Sequence, residues 1–354
     1  MSQDDVQGGH PPDREAMTGV ATGRDRPAPR ADGHRRRGGE RPMVPRAEFR
    51  SYYGRPVLKR PVWSARDIAG YFFLGGLAGA SSVLGAGADL TGRPTLARGA
   101  KVGAAGAISL AAVALVHDLG RPARFFNMLR VAKASSPMSV GSWLLAGYGP
   151  LAAGAAASSV TGRLPRLGRL AGLGAAGLGP LVAGYTAALI TDTAVPAWHE
   201  AHREMPFVFV GSAATAAGGL GLLTASTGDN GPATVFAAAG AAAELSAVRL
   251  IKRRLGVVGE PYERGRAGAL LRAAEILSAT GVGCAFLSRG DRMLSALSGL
   301  TLLVGSAASR FGIFYAGLAS ADDPKYTVQP QRERIENERI ERERPTDEHA
   351  RPNS

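Results

Sequence analysis

Between about residues 64 and 318 of this 354-residue chain, long runs of apolar and small residues alternate with short charged stretches. Outside that region, residues 1–62 and 321–354 are dense in charge and poor in apolar side chains. A helix needs about 20 mostly apolar residues, rising 1.5 Å each, to traverse a hydrocarbon core of ~30 Å. The segregated pattern therefore predicts an all-α polytopic membrane protein, a bundle of about eight transmembrane helices. The predicted spans run from about Ser64 to Ala88, Gly99 to Val116, Met138 to Val160, Leu167 to Ile190, Pro206 to Ser226, Pro232 to Leu250, Ala267 to Leu287 and Met293 to Leu318. Ser136-Pro137 is a favourable opening for the third span. Pro150 and Pro180 fall inside the third and fourth, where each frees a carbonyl and bends the helix.

The same pattern divides the chain into three parts. Residues 1–62, rich in Arg, Pro, Gly and Asp, cannot bury enough surface to offset the entropy of ordering and are expected to be a disordered basic tail. Residues 63–320 form the eight-helix domain, and 321–354 a charged C-terminal tail. Within that tail, Gln331 to Arg344 alternates Arg and Glu and reads as an exposed charged helix or disorder. The first apolar run begins only near Ile68, so no secretory signal is expected. Arg35-Arg36-Arg37 lacks the hydrophobic segment that follows a twin-arginine signal. The spans are rich in Ala and Gly, which lets helices approach closely in lipid. Gly75/Gly79 and Gly99/Gly103, spaced four apart, each mark one packing face.

Whole-chain averages hide this segregation: 45% of residues are hydrophobic and the mean hydropathy is near zero, as in a soluble protein. A net charge of +13 would point to nucleic acid in such a protein. Here the cations flank apolar spans, where lipid headgroups and topology account for them. With an even number of spans, both ends of the bundle share a face with the 2–3, 4–5 and 6–7 loops. That face holds Arg121, Arg124, Arg130, Lys133, Arg203, Arg249, Lys252, Arg253, Arg254, Arg264 and Arg266, and reads as cytoplasmic. The lone cysteine, Cys284, excludes a disulfide framework, a Cys-ligated iron–sulfur cluster and a Cys-type zinc site within the chain.

Ionisable groups at membrane depth cost several kcal/mol unless paired or hydrated, so each is a candidate for function. Glu244 lies two-thirds along the sixth span, Glu275 about two turns into the seventh and Arg310 about two turns before the end of the eighth. Asp192 closes the fourth. Pairing of Arg310 with Glu244 or Glu275 inside the bundle is expected, either as a structural ion pair or as a proton-conducting or quinone-facing cluster. Near the membrane the histidines are His117, at a span end, and His199 and His202, in a loop with Trp198. None sits well inside facing helices, so bound haem is not expected, and nothing completes a metal site around His199 and His202.

Several segments carry a specific resemblance. Leu115 to Leu145 reads LVHDLGRPARFFNMLRVAKASSPMSVGSWLL, and Thr191 to Gly219 reads TDTAVPAWHEAHREMPFVFVGSAATAAGG. GYFFLGGLAGAS at Gly70 to Ser81, VGEPYERGRAG at Val258 to Gly268 and RFGIFYAGLASADDPKYTVQPQRER at Arg310 to Arg334 complete the set. Together, in this order, they resemble the NrfD family, which includes the membrane subunit of polysulfide reductase. Two positions depart from it. Tyr315 stands where relatives often carry an acidic residue, and His117 where they often carry an apolar one.

The resemblance implies eight helices without haem, metal or iron–sulfur cluster. It also implies a docked ferredoxin-like iron–sulfur subunit and a molybdopterin catalytic subunit of formate dehydrogenase or polysulfide reductase type, with electrons exchanged against menaquinone or another quinone in a bacterial plasma membrane. The chain would not be catalytic alone. In relatives the quinone site lies among the first four helices, toward the face where the iron–sulfur subunit docks.

Quinone reduction takes two electrons and two protons, so it needs an apolar slot, hydrogen-bond donors for the carbonyls and protonatable groups within reach. Tyr71, Tyr148, Ser139, Trp143 and His117 are candidate donors, and Asp118, Asp192 and Glu244 candidate proton carriers. Gly120 and Pro122 would shape a tight turn in which Asp118 and Arg121 pair. Two alternatives remain open: a proton- or ion-translocating transporter using Glu244, Glu275 and Arg310, and a passive anchor without quinone chemistry. Inverted repeats would favour the transporter, but the two sets of four spans show no convincing similarity.

Overall fold

Each predicted span becomes a helix of 20 to 31 residues in the computed structural model, which describes residues 57–119, 127–130, 132–288 and 290–343. They are α1 (Ala65–Leu90), α2 (Pro94–Asp118), α3 (Pro137–Thr161), α4 (Pro165–Thr191), α6 (Met205–Thr224), α7 (Gly231–Arg254), α8 (Gly265–Leu287) and α9 (Arg292–Asp322). A short helix, α5 (Pro196–Glu200), precedes α6. A 3-10 segment (Gly256–Tyr262) links α7 to α8, and α10 (Lys325–Glu343) follows α9. Seven of the long helices are long and apolar enough to cross a membrane. The remaining one, α3, has 25 residues and no charged side chain, but Trp143, Tyr148, Pro150 and many glycines and serines dilute its hydropathy. The chain is an all-α, multi-pass membrane protein.

Local chemistry sets the helix ends. Ser64 Oγ accepts from the Asp67 backbone N–H at the start of α1, and Asp291 accepts from the N–H groups of Met293 and Leu294 at the start of α9. Proline occupies the first turn of α2, α3 and α4, where a missing N–H costs nothing. α2 therefore begins at Pro94, more than a turn before the apolar run that opens at Gly99. The polar residues in those first turns are tied across the hairpins: Lys101 pairs with Asp89, and Thr95 donates to Asp229.

The helices pack as four antiparallel hairpins, α1/α2, α3/α4, α6/α7 and α8/α9, around two central members. α1 meets α2, α4, α6 and α9, while α6 meets α7, α9, α1 and α4. In their most apolar stretch α1 and α6 are 78% and 72% buried, against 28% for α2, α7 and α8, whose remaining surface is left for lipid. Reciprocal glycines make the closest crossings. A Cβ on Gly79 would lie 2.3 Å from the Gly179 carbonyl oxygen, and one on Gly179 2.4 Å from that of Gly79. Gly211 faces Gly240 between α6 and α7, and Gly219 faces Gly299 between α6 and α9, in the same manner. In lipid, packing of this kind replaces water exclusion as the force between helices.

Both ends of the bundle lie on one face, where Arg60 Nε is 3.6 Å from Asp322 and α10 pairs with α5 through Arg334 and Glu200. The stretch from Thr191 to Glu204, read from the sequence as a loop around two histidines, instead carries α5 as a plug in this face. Trp198 is fully buried, stacks on Trp63 at 6.0 Å, packs on Phe314 and donates from Nε1 to the Ile313 carbonyl at 2.9 Å. A Cβ on Gly317 would fall 1.9 Å from its ring. Tyr262 donates to the Ala197 carbonyl and Ser320 accepts from the Ala197 N–H, so both backbone groups of this buried α5 residue are satisfied within the plug. Residues 1–56, most of the expected N-terminal tail, and 344–354, the end of the C-terminal one, lie outside the described residues, as do Gly120, Arg121, Pro122 and Arg124. Of the Arg/Glu-rich stretch, the described part is helical, within α10.

Candidate functional site

Polar side chains collect in two places, each built by helices distant in sequence. The first is the mouth of α1–α4 on the terminal face. Asp67, in the first turn of α1, receives the His117 ring at 3.1 Å from the last turn of α2, and Asp118 Oδ1 accepts from the Ser64 N–H at 3.3 Å. His117 remains largely exposed while Asp67 is half-buried beneath it. One turn deeper on α1, Tyr71 is buried with its ring edge-on to Tyr185 of α4, 6.4 Å between centroids. Tyr185 in turn fills the space left by Gly141 of α3, where a Cβ would lie 2.3 Å from its ring. Ser139 and Trp143 stand on the opening turns of α3, and Ser139 Oγ accepts from the Lys133 N–H at 3.0 Å.

This mouth unites Tyr71, His117, Asp118, Ser139 and Trp143 among the sequence-derived candidates and adds Asp67 and Tyr185. Asp67 is legible in the sequence only as a helix-start acid, and Tyr185 as one aromatic in an apolar run. Their spacing from neighbours on the same helix, four residues between Asp67 and Tyr71, is the available signal. Arg121, expected to pair with Asp118, lies outside the described residues. Tyr148 is committed elsewhere. Its hydroxyl donates to the Ala78 carbonyl at 2.6 Å and lies 2.7 Å from Ser82 Oγ, pinning α3 to α1. Asp192 is exposed at the C-terminal end of α4.

The second collection lies inside the bundle among α6, α7 and α9. Glu244 and Arg310 are both fully buried, with Ser309 and Ser212 beside the carboxylate. Arg310 Nη2 donates to the Phe209 carbonyl, and its guanidinium lies 3.9 Å above the Phe209 ring. Neither expected partner bonds Arg310 directly: Glu244 faces it without a hydrogen bond, and Glu275 pairs elsewhere. Glu275 projects from the outer flank of α8 and takes Arg249 of α7 at 2.6 Å, because α8 turns that flank toward α7 rather than toward the centre.

Charge networks bind the loops on each face. On the terminal face Arg254 grips Glu204 at 2.6 and 2.7 Å, and Glu260 accepts from Lys325 at 2.8 Å and Arg264 at 2.7 Å. The bond from Lys325 holds the Glu260 carboxyl below the usual carboxylate range and the Lys325 ammonium above its own. On the opposite face Asp229 accepts from both the N–H and the hydroxyl of Thr95, which likewise lowers its carboxyl. A cavity of about 750 Å³ opens there between α1, α7 and α8, with Val83, Val235 and Phe236 on its walls and Arg93 at its rim. None of the described candidate residues lines it.

Helices that leave lipid-facing flanks, glycine crossings at the centre and ionisable groups at a mouth and in the interior define a polytopic membrane protein with polar sites between its spans. Among curated proteins none matches the chain. The family model described as polysulphide reductase, NrfD, matches residues 58–228, from just before α1 to just beyond α6. Over those residues the chain is similar to the NrfD family. Three of the five segments that carry the resemblance fall inside the match. Those at Val258 to Gly268 and Arg310 to Arg334 lie beyond it, in the 3-10 segment with the start of α8 and in the end of α9 with the start of α10.

Proposed function

We propose that the chain is the membrane subunit through which a multi-subunit respiratory oxidoreductase exchanges electrons with the quinone pool of a bacterial plasma membrane. The family match supports the role, and one observation carries its placement: Asp67 and His117 meet at 3.1 Å, beside Asp118, at the mouth of the matched helices. A carboxylate–imidazole pair at the edge of an apolar bundle is suited to giving and taking protons. Menaquinone or a similar quinone would enter from lipid between α1, α3 and α4 with its head toward this pair. Tyr71 and Tyr185 would flank the ring, and Trp143 and Ser139 would close the outer edge.

Two electrons come from a docked iron–sulfur subunit, itself fed by a molybdopterin enzyme of formate dehydrogenase or polysulfide reductase type. Two protons reach the quinone oxygens through His117, Asp67 and Asp118. The partner docks on the terminal face, because electrons must arrive close to the quinone head. The Lys/Arg bias of the short loops supports a cytoplasmic position for that face.

The test is the complex purified in mild detergent with its iron–sulfur absorbance intact. A photoreactive quinone analogue should label peptides from the terminal-face ends of α1, α3 and α4. His117→Gln and Asp67→Asn should each slow quinone turnover by about 10²-fold or more, the range of a lost acid–base group. Full turnover in both assembled variants, or specific labelling elsewhere, removes the placement. No specific labelling at all leaves only a passive anchor.

A further inference from the structure

The interior pair of α7 and α9 asks for a role that the mouth does not supply. Arg310 lies 18 residues from the Arg292 end of α9 and 12 from the Asp322 end, about 27 Å and 18 Å along the axis. Glu244 lies 10 residues from the terminal-face end of α7, about 15 Å. Both are therefore at membrane depth, and both are less than 3% exposed. Yet Glu244 Oε2 and Arg310 Nε and Nη1 have no hydrogen-bond partner among the described residues, nor has the neighbouring Ser309 hydroxyl. Opposite charges that face one another in a low dielectric without bonding each leave a desolvation cost of several kcal/mol unrelieved. Buried water is the usual remedy, since one molecule makes two to four such bonds.

The charged group facing Glu244 is Arg310, from α9. α6 contributes Ser212 and the backbone at Gly211, and α1 brings Gly76 against the guanidinium. Arg249 and Glu275 neutralise each other on the outer flank of α7 and α8. Toward the terminal face the pair is sealed by Phe209, Phe314 and Trp198. Toward the opposite face the same side of α9 carries buried hydroxyls. Ser306 bonds Ser212 at 2.8 Å, Ser298 has no partner among the described residues, and Ser295 accepts from Asn230 beside the α6–α7 turn.

We propose that Glu244 is an internal protonation site, which exchanges a proton with water bridging it to Arg310 and is supplied from the non-terminal face along the serine seam of α9. The proton passes from that water to a carboxylate oxygen and is replaced through the hydroxyls, with no change in electron count. The site stands independently of the quinone reading and would persist were that reading wrong.

Infrared difference spectroscopy of the full chain in lipid nanodiscs, stepped in pH and repeated in D2O, tests it. A protonated-carboxyl band should grow on acidification, shift in D2O, vanish in Glu244→Gln and survive in Glu275→Gln. Should Glu244→Gln fail to fold by size exclusion, Ser309→Ala must displace the same band in a folded protein. A titrating band unmoved by these changes, or none titrating in the unaltered chain, overturns the proposal. Ser298→Val and Ser306→Val should slow deuterium exchange of the band several-fold, and unchanged exchange in both overturns the route.

Discussion

The mouth of α1–α4 and the interior of α6–α9 use the same residue types under opposite conditions. At the mouth, Asp67 and His117 sit at helix ends, bond directly and keep the imidazole exposed. In the interior, Glu244 and Arg310 sit mid-helix, fully buried, and face each other with bonding capacity to spare. Charge at a helix end is cheap because water and headgroups share it. Charge at mid-membrane persists only where the surrounding packing holds it in place. The first arrangement can lose a partner at little cost to stability, whereas losing one in the second costs several kcal/mol.

Four measurements sharpen that contrast, from the largest effect downward. Arg310→Met leaves the buried carboxylate without the charge it faces and should cost about 3–5 kcal/mol, read as a large fall in Tm in detergent. Adding Glu244→Gln to that variant should recover part of the loss, and equal Tm values for the single and double variants would show that the two side chains do not interact.

Gly79→Leu comes next. Its side chain meets the Gly179 carbonyl, and overpacking of this kind costs about 1–3 kcal/mol or more. Wild-type stability would mean that the α1–α4 crossing is looser than the glycine contact indicates. At the mouth, His117→Gln should change stability by no more than about 1 kcal/mol, as exposed pairs do, while slowing quinone turnover about 10²-fold.

The smallest effect concerns the clamp between Glu260 and Lys325, which lies in water. Glu260 titrates below its unfolded value, so its contribution is whole above the ordinary carboxylate pKa and fades as pH falls through the lowered one. Lys325 titrates above its ordinary value, so its contribution is whole below that value and fades as pH rises through the raised one. Hydrogen exchange in the first turn of α10 should therefore stay slow from about pH 5 to about pH 9 relative to Lys325→Met, with the difference shrinking at acid pH. A constant difference across that acid range would show that the carboxylate plays no part.

Much of the fold is legible in the order of residues alone. The predicted spans coincide with the eight long helices within about a turn at nearly every end, since length and hydropathy along one dimension suffice to choose lipid over water. α2 departs because its first turns carry polar side chains that satisfy one another across hairpins, as Lys101 does with Asp89. α5 stays hidden because a five-residue helix has no period to read, and Trp198 looks alike whether it faces solvent or plugs a bundle. Gly317 hints at the plug, but a glycine does not name the ring it accommodates.

For the candidate sites the sequence marks the residues without choosing their partners. Glu244, Glu275 and Arg310 stand out as costly at membrane depth, and that cost follows from composition and position alone. Which of them meet depends on the rotation of each helix about its axis, and the glycine crossings of α6 with α7 and α9 fix that rotation. Hydropathy averages around a helix and so carries no azimuth. For the same reason the pattern of charges points Glu275 toward the centre while α8 turns it outward to Arg249, and nothing in it joins Asp67 to His117 across 50 residues of chain. Membrane residence, span number and the inventory of ionisable groups belong to the sequence. The mouth, the plug and the sealed interior pair belong to the packing, because only contact between helices decides which face of each looks inward.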